Sequence, residues 1–210
     1  MLELIQSGGL LMIPIIVCSV IAMAIIGERL WALRRHKIAP QHLVAQIYQL
    51  RKKNQLNKAS LQSLRENSLL GGVLASGLST MHQSREVMKE SIEESGRHAV
   101  HEMEKYLQTL GTIASISPLL GLLGTVVGMI KVFTVITSQG VGNPGVLAGG
   151  ISEALLTTAA GLVVAIPSLI AARHFRRHID DLVIYMEQEA IKLVEVIHGQ
   201  RDEDPVEKMS

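Results

Sequence analysis

The chain has 210 residues with 20 basic and 19 acidic side chains, a net charge of +1, and 48% of its residues are hydrophobic. Balanced charge excludes the basic excess that nucleic-acid binding needs. A single cysteine, Cys18, excludes both a disulfide framework and a thiolate metal cluster.

The mean hydropathy of +0.30 hides a sharp segregation. Residues 4–27, 106–130 and 132–172 make up 90 positions and hold one ionisable acid or base, Glu153. The other 38 of the 39 charges fall in the remaining 120 residues. Such a partition excludes a disordered chain and a simple soluble enzyme. It predicts an all-α integral membrane protein with three transmembrane helices, two of them extended into long cytoplasmic helices.

In chain order, residues 1–9 form a short N-terminal tail. The apolar run 10–27 follows, close to the roughly 20 helical residues that cross a hydrocarbon core about 30 Å thick. No basic segment precedes it, and Glu28-Arg29-Leu30-Trp31 follows it where a signal peptide would carry small residues. It therefore reads as an uncleaved anchor. Residues 28–105 are polar and helical in pattern, with 51–58 as the best linker. From Arg85 onward, Met88, Ile92, Ala99, Met103, Tyr106 and Leu110 form one stripe on an amphipathic helix. That pattern predicts an unbroken rod running into the second span, 106–135.

Turn chemistry at Gly140, Gly142, Asn143, Pro144 and Gly145 marks a hairpin over 136–146. The third span, 147–172, is thus an antiparallel neighbour of the second. A striped helix over 173–198 and a flexible tail over 199–210 complete the chain.

Lysine and arginine set the expected orientation. Arg29, Arg34, Arg35 and Lys37 follow the first span, and Arg173, Arg176 and Arg177 follow the third. The hairpin side has only Lys131. The N-terminus and hairpin are therefore expected outside, in the periplasm, with 28–105 and 173–210 in the cytoplasm. Trp31, Tyr106, Phe133 and Phe175 flank the apolar runs, where amphipathic rings favour the lipid–water boundary.

Glu153 is the outlier. A carboxylate at membrane depth costs at least a few kcal/mol unless it faces protein or water, which makes it the leading candidate for function. It lies six residues into the third span, about 9–10 Å from its outer end at a rise of about 1.5 Å per residue. Thr157, Ala160, Gly161 and Val164 share its face. On the second span Ser117, Gly121, Gly124, Thr125 and Gly128 form a small-residue stripe, and Gly124-xxx-Gly128 permits close backbone approach. Two readings fit that stripe equally: tight packing against the third span, or a narrow proton-conducting seam. A relay needs several titratable groups across the membrane, and one is present, so conduction calls for a partner helix or self-assembly.

No P-loop, nucleophile elbow or paired-carboxylate arrangement occurs, so neither an enzyme nor a cofactor is expected. His98 and His101 lie three residues apart beside Glu102, but no third ligand has matching spacing, and no metal is expected.

Three stretches resemble the TolQ/ExbB/MotA proton-channel family, closest to the ExbB and TolQ branch. Residues 116–129, ISPLLGLLGTVVGM, are similar to its second-span signature. Residues 153–167, EALLTTAAGLVVAIP, are similar to its third-span signature, and Glu28-Arg29-Leu30 to its first-span exit. The resemblance implies a pentamer in the bacterial inner membrane whose second and third helices enclose a pore. It also implies a single-span ExbD- or TolR-like partner whose aspartate carries the protons, and a periplasm-spanning TonB- or TolA-like transducer. By motif matching, Glu153 stands at the pore glutamate and Thr125 and Thr158 at the pore threonines. Ser117, Gly121, Gly124, Gly128 and Gly161 are the expected packing residues. Thr158 stands about 140° around an ideal helix from Glu153, and Thr157 only about 40°. The alternatives are a TolQ-like subunit, a non-conducting membrane scaffold, and a MotA-like stator. The last is disfavoured by a missing span and the lack of a charged torque-generating segment.

Overall fold

The computed structural model describes residues 9–41, 43–52, 57–140 and 144–198. The expected tail 199–210, the tip of the hairpin and the middle of the 51–58 linker fall outside the described residues, as does most of the N-terminal tail. Eight helices make up the described part. They are α1 (Met12–Ala32), α2 (Arg35–Ile38), α3 (Leu43–Lys52), α4 (Lys58–Asn67), α5 (Leu69–Ser79), α6 (Arg85–Glu104), α7 (Leu107–Gln139) and α8 (Pro144–Ile197). Three stretches are helical, long and apolar enough to cross a membrane, within α1, α7 and α8. The protein is an all-α, multi-pass membrane protein.

Two compact units divide the chain, one built from residues 1–29 and 106–175, the other from 30–105 and 176–210. In the first unit, buried positions on α7 run Leu110, Ala114, Ser117, Gly121, Gly124 and Gly128. Those on α8 run Ala154, Thr157, Gly161, Ala165 and Ser168. The steps of three and four are those of a heptad seam, but nearly every position is small. Without a hydrophobic drive between helices in lipid, association depends on close van der Waals contact, and small side chains allow it.

The contacts are antiparallel. Gly128 lies against Ala154, Gly124 against the Thr157 side chain, Gly121 against the Thr158 backbone, and Gly161 against the Ser117 carbonyl. Residues opposite the seam, among them Leu119, Leu122, Ile130, Leu155, Val163 and Ile170, are exposed and apolar, as lipid or other subunits require. Pro118 and Pro167 lie inside α7 and α8. Membrane helices tolerate such prolines because neighbouring groups re-satisfy the freed backbone.

The second unit has an ordinary helix-packed core. Ser68 and Ser84 cap α5 and α6 through Gly71 N–H (3.0 Å) and Val87 N–H (3.4 Å), and Asn57 with Ser60 forms a capping box on α4. At the start of α6, its own backbone amide and the Ser84 hydroxyl hold the Glu86 carboxyl below its ordinary range. Helices α5 and α6 meet where Gly77 admits Ile92 and Met88. There Ser76 and Ser91 each donate to the other's carbonyl, at 3.1 and 3.2 Å. The expected stripes are buried at Met88, Ile92, Ala99 and Met103 on α6, and at Ile179, Leu182, Met186, Ala190, Leu193 and Val194 on α8. His178 Nε2 lies 2.9 Å from the Leu33 carbonyl, and the Arg35 guanidinium stacks over Tyr185.

One expectation is corrected. The apolar stripe from Arg85 into the second span is not a single rod: the helix stops at Glu104 and restarts at Leu107. Tyr106 adopts φ 64°, a left-handed conformation that a bulky residue takes only where its surroundings hold it. The Arg29 guanidinium, itself buried and paired with Glu28, lies 5.5 Å from the Tyr106 ring centre. Periodicity carried across the break because the stripe resumes in phase at Leu110. By contrast α8 is continuous for 54 residues.

The seam makes a direct prediction. A Cβ on Gly161 would sit 2.5 Å from the Ser117 carbonyl oxygen, whereas one on Gly111 meets nothing within 4 Å. Gly161→Ala should destabilise the α7–α8 pair by about 1–3 kcal/mol through overpacking. Gly111→Ala should be neutral or stabilise by up to about 1 kcal/mol. Unfolding midpoints in a detergent titration check both.

Candidate functional site

Glu153 sits in the third turn of α8, on the edge of the seam and not within it. Its neighbour one position on, Ala154, packs into Gly128, which turns the Glu153 side chain to one side of the contact line. There Lys131 reaches it from α7, with Nζ 2.6 Å from Oε1. The carboxylate is about three-quarters shielded and the lysine about half, at side-chain exposures of 24% and 53%. On another side Gly9 presses against the carboxylate so closely that a Cβ there would overlap it. A hollow of about 480 Å³ opens beside the pair, with Ile130, Val135, Val146 and Gly150 in its walls.

Lys131 was the residue that sequence reading underused, as a count on the hairpin side and no more. Its signal was present in the numbering. Lys131 and Glu153 each stand eleven residues from position 142, the middle of the hairpin. In an antiparallel pair such positions come near each other, and the contacts of Gly128 with Ala154 and Val132 with Gly150, both centred one residue earlier, bracket them.

The threonines separate. The hydroxyl of Thr157, buried in the seam against Gly124, donates to the Glu153 carbonyl at 2.7 Å. Thr158 donates across the seam to the Gly121 carbonyl at 2.8 Å. Thr125 is half-buried, away from these contacts, and donates to Leu122 O of its own helix at 2.7 Å. Ser117 is fully buried, and its hydroxyl finds no hydrogen-bond partner.

The geometry decides between packing and conduction for the contact between α7 and α8. Glycine at 121, 124 and 128 leaves no room even for a methyl carbon, since an added Cβ would lie 2.5–2.9 Å from α8 atoms. A file of water cannot pass where a methyl group cannot fit. Within one chain the glycines of the stripe are packing contacts.

The described residues thus form a multi-pass helical membrane protein with an ion-paired carboxylate beside a glycine-packed helix pair. The sequence profile of the MotA/TolQ/ExbB proton channel family matches residues 65–188. The biopolymer transport protein exbB1 of Vibrio cholerae is 33% identical over 181 residues, 81% of this chain and 77% of that protein. An ExbB-like protein of Synechocystis is 28% identical over 208 residues, 97% of each chain. The biopolymer transport protein ExbB of Salmonella typhimurium is 49% identical over a shorter stretch of 70 residues, 33% of this chain and 29% of that protein. The chain belongs to the MotA/TolQ/ExbB proton channel family and is a proton-channel-type membrane subunit of transport systems.

The cross-seam hydrogen bond yields a measurable difference. Thr158→Val keeps the shape but removes the donor to Gly121 O, and should cost about 0.6 kcal/mol, the usual scale for such bonds between membrane helices. Thr158→Ser should retain it. Unfolding in mixed detergent micelles separates the two variants.

Proposed function

We propose that the protein is the multi-copy channel subunit of an inner-membrane motor that couples the proton-motive force to a periplasm-spanning transducer for outer-membrane transport. The carrying observation is Glu153: the single acid of the membrane-spanning stretches, shielded in place on a glycine-packed helix pair. The pore is formed by several copies, five by family resemblance, with α7 and α8 around it. Because the α7–α8 contact is closed, the conducting surface is the one each chain presents to the others, where the half-buried Thr125 stands.

One acid per chain does not make a relay across a bilayer. A single-span partner of the ExbD or TolR kind therefore supplies a membrane aspartate. Glu153, with Thr125 and Thr158, orders water and that aspartate. The N-terminus and the hairpin face the periplasm, and 28–105 and 173–210 the cytoplasm, as the seven-to-one distribution of flanking cations favours. The relatives named as biopolymer transport proteins favour the transport branch of the family over the TolQ branch.

Glu153→Gln keeps the size and hydrogen-bonding outline of the side chain and removes the charge. In membrane vesicles from cells expressing the full chain with its natural partners, proton flux under an imposed potential should fall to background. The assembly should keep its size on a native gel. Flux equal to wild type would identify a scaffold in which Glu153 is only packed.

A further inference from the structure

We infer that Lys131 is the closing counter-ion of Glu153, an ammonium that occupies the carboxylate at the outer end of the α7–α8 pair and bars cations from it until displaced. The inference rests on the reading of Glu153 as part of the proton path. It adds a positioning residue that neither the motifs nor the family relationship assigns.

Four observations carry it. The contact is short, Nζ to Oε1 2.6 Å, and each side chain makes no other ion pair among the described residues. Its register is fixed rather than opportunistic. Gly128 against Ala154 and Val132 against Gly150 lock the two helices on either side of the pair. Lysine is the more exposed partner, and both side chains line the adjoining hollow. Gly9 closes a further side, which leaves the adjoining hollow as the approach to Glu153. Among the described residues, Thr134 alone brings a further polar side chain to that hollow.

The physical consequence follows from the cost of charge at membrane depth. A lone carboxylate or a lone ammonium is expensive there, and each offsets the other. A proton carrier arriving at Glu153 meets a fixed positive charge and an occupied oxygen, which together form an electrostatic barrier of the kind that excludes protons and cations from pores. Opening requires that the ammonium swing into the hollow or out to solvent while another group takes its place on the carboxylate. The four-carbon stem of lysine permits that movement with little change in the helices.

The test compares Lys131→Met, Lys131→Gln and Lys131→Arg in the full chain, expressed with its natural partners, by proton leak into membrane vesicles down an imposed pH gradient with the potential clamped at zero. Met and Gln should leak severalfold faster than wild type, and Arg should stay near it. Lys131→Met combined with Glu153→Gln should leak slowly again. The proposal is overturned if Met and Gln leak no faster, or if the double variant leaks as fast as Lys131→Met. It is equally overturned if neither Met nor Gln assembles on a native gel, which would make Lys131 a structural residue. Loss of driven flux in Glu153→Gln alongside unchanged leak in the Lys131 variants would sink the counter-ion and leave the proton-path reading standing. Unchanged driven flux in Glu153→Gln would sink that reading itself.

Discussion

The close approach of α7 and α8 is the constraint on which the rest depends. In lipid, two apolar helices gain nothing from hiding leucines from each other, because the tails are as apolar as the side chains. What remains is contact distance. Glycine at 121, 124, 128 and 161 lets backbone meet backbone, and the Thr158 hydroxyl bonds across the gap to the Gly121 carbonyl. This fit sets the register of the hairpin to the residue. Register in turn places Lys131 opposite Glu153. A shift of one residue along either helix would turn that helix's charge by about 100° away from the other and part them.

The same contact explains how the chain divides its surfaces. Large residues such as Leu122, Phe133, Leu155 and Val163 are excluded from the seam and stand exposed around the first unit. A subunit built this way is complete as a helix pair and incomplete as an enclosure. The second unit follows the usual rules of water: serine caps, a buried aliphatic stripe on α6 and α8, and charged outer faces.

Much of this was legible in the sequence, for reasons that can be stated. Charge segregation gave the three spans because the bilayer penalises each charge separately, so the signal adds over 90 positions. The small-residue stripe was visible because a step of three and four is a property of any α-helix. Two features were not visible. The break at Lys105 and Tyr106 leaves no trace in hydrophobic periodicity, since Met103 and Leu110 keep the phase across it. No glycine or proline marks it; a left-handed tyrosine does, with the Arg29 guanidinium near its ring. The role of Lys131 was hidden for a different reason. Counting cations for topology treats each as solvated, whereas pairing is a matter of register, and register comes from the hairpin as a whole.

The distinction between Thr157 and Thr158 shows what register adds to motif matching. Around the helix Thr157 is the nearer to Glu153, and the structure spends it inside the seam, in contact with Gly124 and bonded to the Glu153 carbonyl. Thr158, which the motif selects, bonds to the partner helix instead. Neither hydroxyl points its donor at the Glu153 carboxylate, which is held by lysine. Among the described residues, each buried side-chain polar atom of the helix pair except the Ser117 hydroxyl has a hydrogen-bond partner. Of these bonds the Lys131–Glu153 pair is the one whose donor sits half exposed on a flexible stem, so under the counter-ion proposal its exchange for an outside group is the step that frees the carboxylate.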